Sequence, residues 1–276
     1  MLIESGLRPH LASASNAPFS ISVWCRNRLL SVQAFDGPDG GAAAPQEQEL
    51  ISCVMVTRGR LALAQRAIRC FQQQTHPNRE LVILDGGTDD HLFRHLRALA
   101  DARIVYRRDP QGERPLGEMR NAAIACTSGP FVCQWDDDDL YHPRRIELQI
   151  AALRATGSNA CFLQREYIWW PAQDRLAQSV RRIWEPSMLC EKAFFPAYPP
   201  LARGEDTAVT EAIVHTVQVV LLDAPELYIY VVHGANTCPS PHFEDHWKRA
   251  TARFVGEAYR ERLEAILSAL PADVRG

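Results

Sequence analysis

The chain has 276 residues, of which 46% are hydrophobic and 23% charged, and its formal net charge is -3. That balance allows one large α/β domain with a full core and excludes the strongly basic surface of a nucleic-acid binder. No apolar run approaches the ~20 residues of a membrane span, the first residues lack the pattern of a signal peptide, and eight cysteines lie scattered without a CxxC pair, so the expectation is a cytoplasmic protein with buried thiols.

Residues 1–17 are rich in Ser, Ala and Pro, and residues 37–48 read GPDGGAAAPQEQ. Both are expected to be loop or tail. Between them, residues 19–35 are apolar enough for a strand or short hairpin. Residues 51–56 form a short apolar run, the mark of a strand buried on both faces. Residues 60–74 follow with Leu63, Ala67, Ile68 and Phe71 at helical spacing. A strand at 80–84, a helix at 91–100, a strand at 103–106, a helix at 117–127 and a strand at 131–135 continue the alternation. A helix at 143–155 starts on Pro143, a residue suited to a first turn. This order predicts a parallel sheet covered by helices, with ligands at the carboxyl ends of the strands. Further on, 160–170, 217–222 and 227–232 read as strands and 205–215 as a helix. Residues 242–270 read as a long charged helix, broken near Gly256. The organisation expected is an extension at 1–48, a main α/β domain at 49–240 and a helical segment at 241–276.

Asp136, Asp137, Asp138 and Asp139 stand directly after the apolar strand 131–135. Four adjacent carboxylates repel one another, and a divalent cation removes that cost. Mg²⁺ or Mn²⁺ accepts one or two carboxylates plus substrate phosphates. Side chains 136 and 138 can share one side of an extended chain. The plain alternative is a solvated acidic turn. Gly204-Glu205-Asp206 opens the helix at 205–215. It is either a general base for a hydroxyl nucleophile or an acidic helix start favoured by the macrodipole. His233 follows a strand and opens a Gly-containing loop; it suits Mn²⁺ or a diphosphate, or else is a satisfied structural histidine. Thr57-Arg58 and Asp85-Gly86-Gly87 close two strands, where a carboxylate could accept hydrogen bonds from a base or a ribose. Asp85 also reads as an ordinary turn residue before Gly. Arg120 could pair with phosphate or with the acidic cluster, or form a surface ion pair.

Taken in order, Thr57, Gln74-Thr75-His76-Pro77-Asn78, Asp85-Gly86-Gly87, Arg120-Asn121-Ala122, Asp136–Asp139, Pro143, Gly204-Glu205-Asp206 and His233-Gly234-Ala235-Asn236-Thr237 resemble the family 2 glycosyltransferases. The resemblance covers about residues 50–237. It implies the GT-A fold, a mostly parallel Rossmann-like sheet flanked by helices. It also implies inverting transfer from a nucleotide-diphospho-sugar with a divalent cation, Mn²⁺ or Mg²⁺. Position by position, it implies that Asp85 contacts the nucleobase with Thr57 and Arg58 nearby. Asp138 would hold the metal, and Asp136 or Asp137 would touch ribose or sugar. Asp206 would be the general base beside Glu205, and His233 would lie near the diphosphate. The chain departs from the family at Arg58-Gly59, where Tyr-Asn is frequent, and at Gly86, where an acidic or amide residue is frequent. Both positions bear on the nucleobase pocket. The QxxRW-like element of processive members is absent, so one transfer per encounter is expected.

Several further expectations follow. Arg114, Arg120 and the loop 111–117 would close over the donor. Tyr167, Trp169 and Trp170 in REYIWWP offer aromatic faces for a glycan, lipid-linked or other hydroxyl acceptor, or else pack in the core. The mixed-charge C-terminal region reads as a solvated helix, with peripheral contact at the inner face of a membrane as the alternative. Two other readings compete. Nucleotidyl transfer needs a longer Gly-rich basic loop than Thr57-Arg58-Gly59-Arg60. A non-catalytic carbohydrate-binding relative has no use for both a metal cluster and a base.

Overall fold

The computed structural model describes residues 19–38, 49–109, 114–270 and 272–274. Most of the tails expected at 1–17 and 37–48, and part of the loop 111–117, lie outside the described residues. A hairpin of β1 (Phe19–Cys25) and β2 (Arg28–Phe35) comes first. Then β3 (Ile51–Thr57), α1 (Leu61–Gln72), β4 (Arg79–Asp85), α2 (His91–Leu99), β5 (Ile104–Arg108), α3 (Leu116–Ile124) and β6 (Phe131–Gln134) alternate as expected. They are followed by β7 (Leu140–Tyr141), α4 (Arg145–Thr156), β8 (Ala160–Leu163), β9 (Tyr167–Trp170), β10 (Arg175–Gln178) and β11 (Trp184–Glu191). The chain ends with α5 (Glu205–Thr216), β12 (Gln218–Asp223), β13 (Tyr228–Val231), α6 (Ser240–Arg249), β14 (Ala252–Phe254) and α7 (Gly256–Leu267).

The central sheet has nine strands in the order β2-β1-β12-β8-β11-β6-β3-β4-β5. The half made by β6, β3, β4 and β5 is parallel, as the alternation predicts. The other half is mixed. β11 runs antiparallel between β6 and β8, while β12 is parallel to β8. β11 escaped the sequence reading because Pro186 interrupts it. Proline gives no N–H to a ladder, and the pairing of β11 with β8 shifts register between Trp184 and Leu189. The hairpin lies inside the sheet as well, since β1 pairs antiparallel with β12. Strand alternation divides the core. Cys53, Met55, Leu81 and Ile83 pack with Ala64, Ile68 and Phe71 of α1. Val54, Val82 and Leu84 turn to the other face, against Met119 and Ala123 of α3. All eight cysteines are free thiols.

A second sheet has the order β14-β10-β9-β13-β7. The single strand expected at 160–170 is two strands, one in each sheet. The chain changes sheets at Gln164, Arg165 and Glu166, where Arg165 pairs with Asp223 at 2.6 Å. Trp169 is 7% exposed, and its Nε1 donates to Tyr259 Oη at 3.0 Å. Trp170 is 2% exposed and meets Trp247 edge-on. Tyr167, Trp169 and Trp170 are therefore core residues, and the expected aromatic face for an acceptor is not available from them. The expected break near Gly256 is a strand: β14 separates α6 from α7 and pairs with β10. No helix of the described residues is long and apolar enough to cross a membrane.

The Gln74-Thr75-His76-Pro77-Asn78 turn holds α1 against the start of α4. Gln74 Nε2 donates to His142 O at 2.8 Å, and Ile146 N donates to Gln74 Oε1 at 3.1 Å. His76 is 3% exposed, with Nε2 at 3.0 Å from Glu49 O. Burial and the neighbouring Arg79 push His76 down from 6.5 to about 4. The unfolded chain takes this proton near the ordinary histidine value, whereas the folded chain resists it. The stabilisation is therefore complete above about pH 6.5 and is lost as pH falls towards about 4, by up to ~3 kcal/mol. Urea unfolding across that range should show the loss. His76→Gln should flatten it, and an unchanged slope in that variant would assign the acid sensitivity to other groups.

Candidate active site

The carboxyl ends of β3, β4 and β6 point to one side of the sheet, as such folds place their ligands. Thr57 ends β3, Asp85 ends β4, and the acidic tetrad follows β6. The tetrad alternates in role. Side chains 137 and 139 turn inward and are each 1% exposed, while Asp136 and Asp138 remain 21% and 14% exposed.

Asp137 Oδ2 accepts from Thr57 Oγ1 at 2.5 Å and from Arg60 Nε at 3.1 Å. Burial and the adjacent Asp138 push Asp137 up to about 7, against the pull of Arg60 and Thr57. This pairing pins the tetrad to the end of β3. Of the two candidates for contact with ribose or sugar, Asp136 has the more open side chain. Asp139 Oδ2 accepts from Tyr228 Oη at 2.5 Å, and Oδ1 accepts from Val231 N at 2.8 Å. Burial, with Asp138 and Asp136 near, pushes Asp139 well above the ordinary carboxylate value. It pins the tetrad to β13. Asp138 Oδ2 accepts from Arg60 Nη1 at 2.9 Å and lies 3.1 Å from His233 Nε2. Burial opposes its charge, yet His233 and Arg60 hold Asp138 below the ordinary value. His233 Nδ1 accepts from Ala235 N at 3.3 Å, so Nε2 carries the proton and donates to Asp138.

Every carboxyl of the tetrad thus has protein partners. Arg60 at Asp137 and Asp138, and Arg120 at Asp136, supply part of the positive charge that the expected cation would also bring. Arg60 went unrecognised from sequence because nothing local links residue 60 to residue 137.

Arg120 is the second organiser. It is 6% exposed, so the surface ion pair is excluded. Its Nη2 donates to Asp136 Oδ1 at 2.7 Å and its Nε to Glu205 Oε1 at 2.9 Å. The neighbouring Asn121 clasps the backbone of Tyr198 through two bonds of 2.8 Å. Gly117 makes that approach possible, since a Cβ there would lie 1.9 Å from Pro199 O. The start of α5 is so drawn against α3. Glu205 is 2% exposed and stands behind Arg120, away from open solvent. Asp206 lines the cavity, with Oδ1 accepting from Thr207 N at 2.9 Å. Burial raises the Asp206 carboxyl, Arg120 pulls it down, and Asp136 pushes it up again.

Asp136, Asp138, Asp206, Arg58, Arg114 and Arg120 line one cavity of about 620 Å³. Arg114 is held by Asp109 through Nη2 at 2.6 Å. Asp85 is not part of that cavity. It borders a smaller one of about 70 Å³ that shares Thr57 and Arg60 with the first. Its oxygens accept from Gly87 N at 2.7 Å and Tyr106 Oη at 2.9 Å. His233 does not line the large cavity either, and reaches it only through Asp138. Among the described residues no group of three or more His, Cys, Asp or Glu is placed to hold a metal. Asp138 could serve a cation that draws its remaining ligands from a diphosphate, and His233 could join it only on releasing its Nε2 proton and its bond to Asp138.

The chain is similar to several known proteins. The family model described as "Glycosyl transferase family 2" matches residues 52–197. The putative colanic acid biosynthesis glycosyl transferase WcaA of Escherichia coli K12 is 31% identical over 121 residues, which are 43% of each chain. The Escherichia coli enzyme named UDP-Glc:alpha-D-GlcNAc-diphosphoundecaprenol beta-1,3-glucosyltransferase WfgD is 25% identical over 118 residues, 43% of this chain and 46% of that protein. The chain therefore matches less than half the length of these two relatives. Among solved structures, S. aureus TarS 1-349 in complex with UDP-GlcNAc superposes with a TM-score of 0.58 at 16% identity, over 79% of this chain and 66% of TarS. The mannosyltransferase PcManGT from Pyrobaculum calidifontis in complex with GDP-Man and Mn²⁺ gives 0.54 at 13% identity, over 77% and 66%. At these identities the likeness is one of fold.

Proposed function

Since the chain belongs to glycosyl transferase family 2, we propose that it moves a sugar from a nucleotide-diphosphate donor to an acceptor hydroxyl in one inverting displacement. The observation that carries this reading is the single cavity bordered by Asp136 and Asp138, by Asp206, and by Arg58, Arg114 and Arg120. Cationic side chains there suit a diphosphate. A carboxylate in the same cavity suits the proton of an attacking hydroxyl. The acceptor oxygen bonds to the anomeric carbon as the bond to the diphosphate oxygen breaks on the opposite face, and Asp206 takes the proton. Glu205 acts through Arg120 as a positioning residue. Asp138 would hold a divalent cation, Mn²⁺ or Mg²⁺, joined by His233 once its Nε2 proton is released, and the cation when bound supplies Lewis-acid stabilisation to the leaving diphosphate. Thr57 and Asp85 serve the nucleoside end from the smaller cavity, with Arg58 beside them on the wall of the larger one. The name of WfgD carries a lipid diphosphate acceptor, and that supports a lipid-linked glycan as acceptor here, met by peripheral contact at the inner face of a membrane.

Isothermal titration with UDP and with GDP, in Mn²⁺ and in EDTA, tests the donor site. One nucleotide should bind in Mn²⁺. Affinity should fall about tenfold or more, ~1.4 kcal/mol, in EDTA and in Asp138→Ala. If neither nucleotide binds under any condition, the donor-site reading fails. Full affinity in EDTA would instead assign diphosphate binding to the arginines and remove the metal from the reading.

A further inference from the structure

Donor binding and Asp206 leave part of the cavity lining unexplained, and that part includes Glu166, Ile168, Arg182, Glu185 and Phe243. Glu166 is 0% exposed, and neither of its carboxyl oxygens has a hydrogen-bond partner among the described residues. Its backbone is firmly placed: Glu166 N donates to Ser179 Oγ at 2.9 Å, and Ser179 N donates to Glu166 O at 3.0 Å. Only the carboxyl is left open. Arg182 borders the same space. Its Nη2 donates to Glu185 Oε2 and its guanidinium lies 4.1 Å from the centre of the Trp184 ring, but its Nε is buried without a partner.

Buried polar groups nearly always find partners. Leaving one unmade destabilises the fold. Two such groups on the wall of one cavity mark a place where an occupant completes the bonds. Their chemistry limits that occupant. Burial, with Asp139 near, pushes the Glu166 carboxyl well up, against Arg182. That direction favours the neutral acid, which donates one hydrogen bond and accepts others. The Arg182 Nε–H only donates. An anion would meet Glu185, and a cation would meet Arg182. A neutral polyol satisfies both orphaned groups, and Ile168 and Phe243 provide an apolar wall for the carbon face of a sugar ring.

We propose that Glu166 and Arg182 form the acceptor subsite for a neutral sugar, Glu166 hydrogen-bonding one ring hydroxyl and Arg182 Nε–H donating to its neighbour. The inference rests on the glycosyl-transfer reading and specifies its acceptor end. Retaining an unpartnered acid at that position costs stability, and ligand binding is what offsets it.

The test uses the full chain, wild type, Glu166→Gln and Glu166→Leu. Binding of UDP and GDP is measured by titration. Binding of methyl β-glucoside, methyl β-galactoside and methyl N-acetyl-β-glucosaminide is measured by saturation-transfer NMR with and without nucleotide. Wild type should bind at least one sugar. Glu166→Gln, which keeps one donor group and one acceptor, should stay within about threefold, whereas Glu166→Leu should lose about tenfold or more. Nucleotide affinity should be the same in all three. Glu166→Leu should also melt no lower than wild type, because it removes an unsatisfied buried acid. Undiminished sugar binding in Glu166→Leu, equal losses in both variants, no sugar bound by a nucleotide-binding wild type, or a lower melting temperature in Glu166→Leu would each overturn the subsite. Failure of wild type to bind either nucleotide would instead count against the donor reading, and the sugar titrations would still judge Glu166.

Discussion

Asp206→Asn is expected to lower turnover by about 10²–10⁴-fold while nucleotide affinity stays within about twofold. The side chain lines the cavity yet makes no ion pair of its own with Arg120, whose two donors go to Asp136 and Glu205. Removing its charge should therefore leave the donor end intact. Asparagine keeps the shape and the bond from Thr207 N but cannot take a proton. Burial raises the Asp206 carboxyl. A general base works only when deprotonated, so wild-type kcat/KM should rise with pH through a value above the ordinary carboxylate range. That limb should vanish from the residual activity of the variant. Steady-state rates with the donor named by titration, taken across pH, make the measurement. A variant with near-normal turnover would remove Asp206 from the chemistry, and loss of nucleotide binding would make it a donor-site residue instead.

Arg120→Met should destabilise the fold by about 3–5 kcal/mol, the cost of stripping the partner from a buried ion pair. Arg120 is 6% exposed and Glu205 2%, so water cannot replace the lost bonds. Asp136 is better placed, because Gln134 Nε2 still donates to its Oδ2 at 3.1 Å. Most of the loss should therefore come from Glu205. Adding Glu205→Gln to Arg120→Met should recover a substantial part of it, a coupling that a double-mutant cycle in urea reads directly. Arg120→Lys should not restore the wild-type value, since one ammonium cannot reproduce two divergent guanidinium bonds. If Arg120→Met costs less than about 1 kcal/mol, the pair is no stronger than a surface contact, and the alignment of α5 with the tetrad must come from Asn121 and Tyr198.

Much of this protein is written in short stretches of its sequence. The apolar runs of β3 and β4, the helical spacing of α1, and an acidic turn following β6 all lie within a few residues, where period and turn chemistry act locally. The order of those pieces was also enough to see the family. What escaped depends on partners far apart in the chain. β11 could not be seen because Pro186 breaks its pattern, and only pairing with β6 and β8 on either side makes it a strand. REYIWWP was read as one aromatic segment, but a change of sheet at Glu166 sends Trp169 towards Tyr259 and leaves Glu166 on the cavity wall. Alternation along 136–139 separates two pairs of carboxylates, and the sequence alone determines that much. Which pair stays more open was decided by Thr57, Arg60 and Tyr228, which capture Asp137 and Asp139 from 80, 77 and 89 residues away. A buried carboxylate follows whichever donor the fold brings to it, and that donor is a property of the tertiary structure.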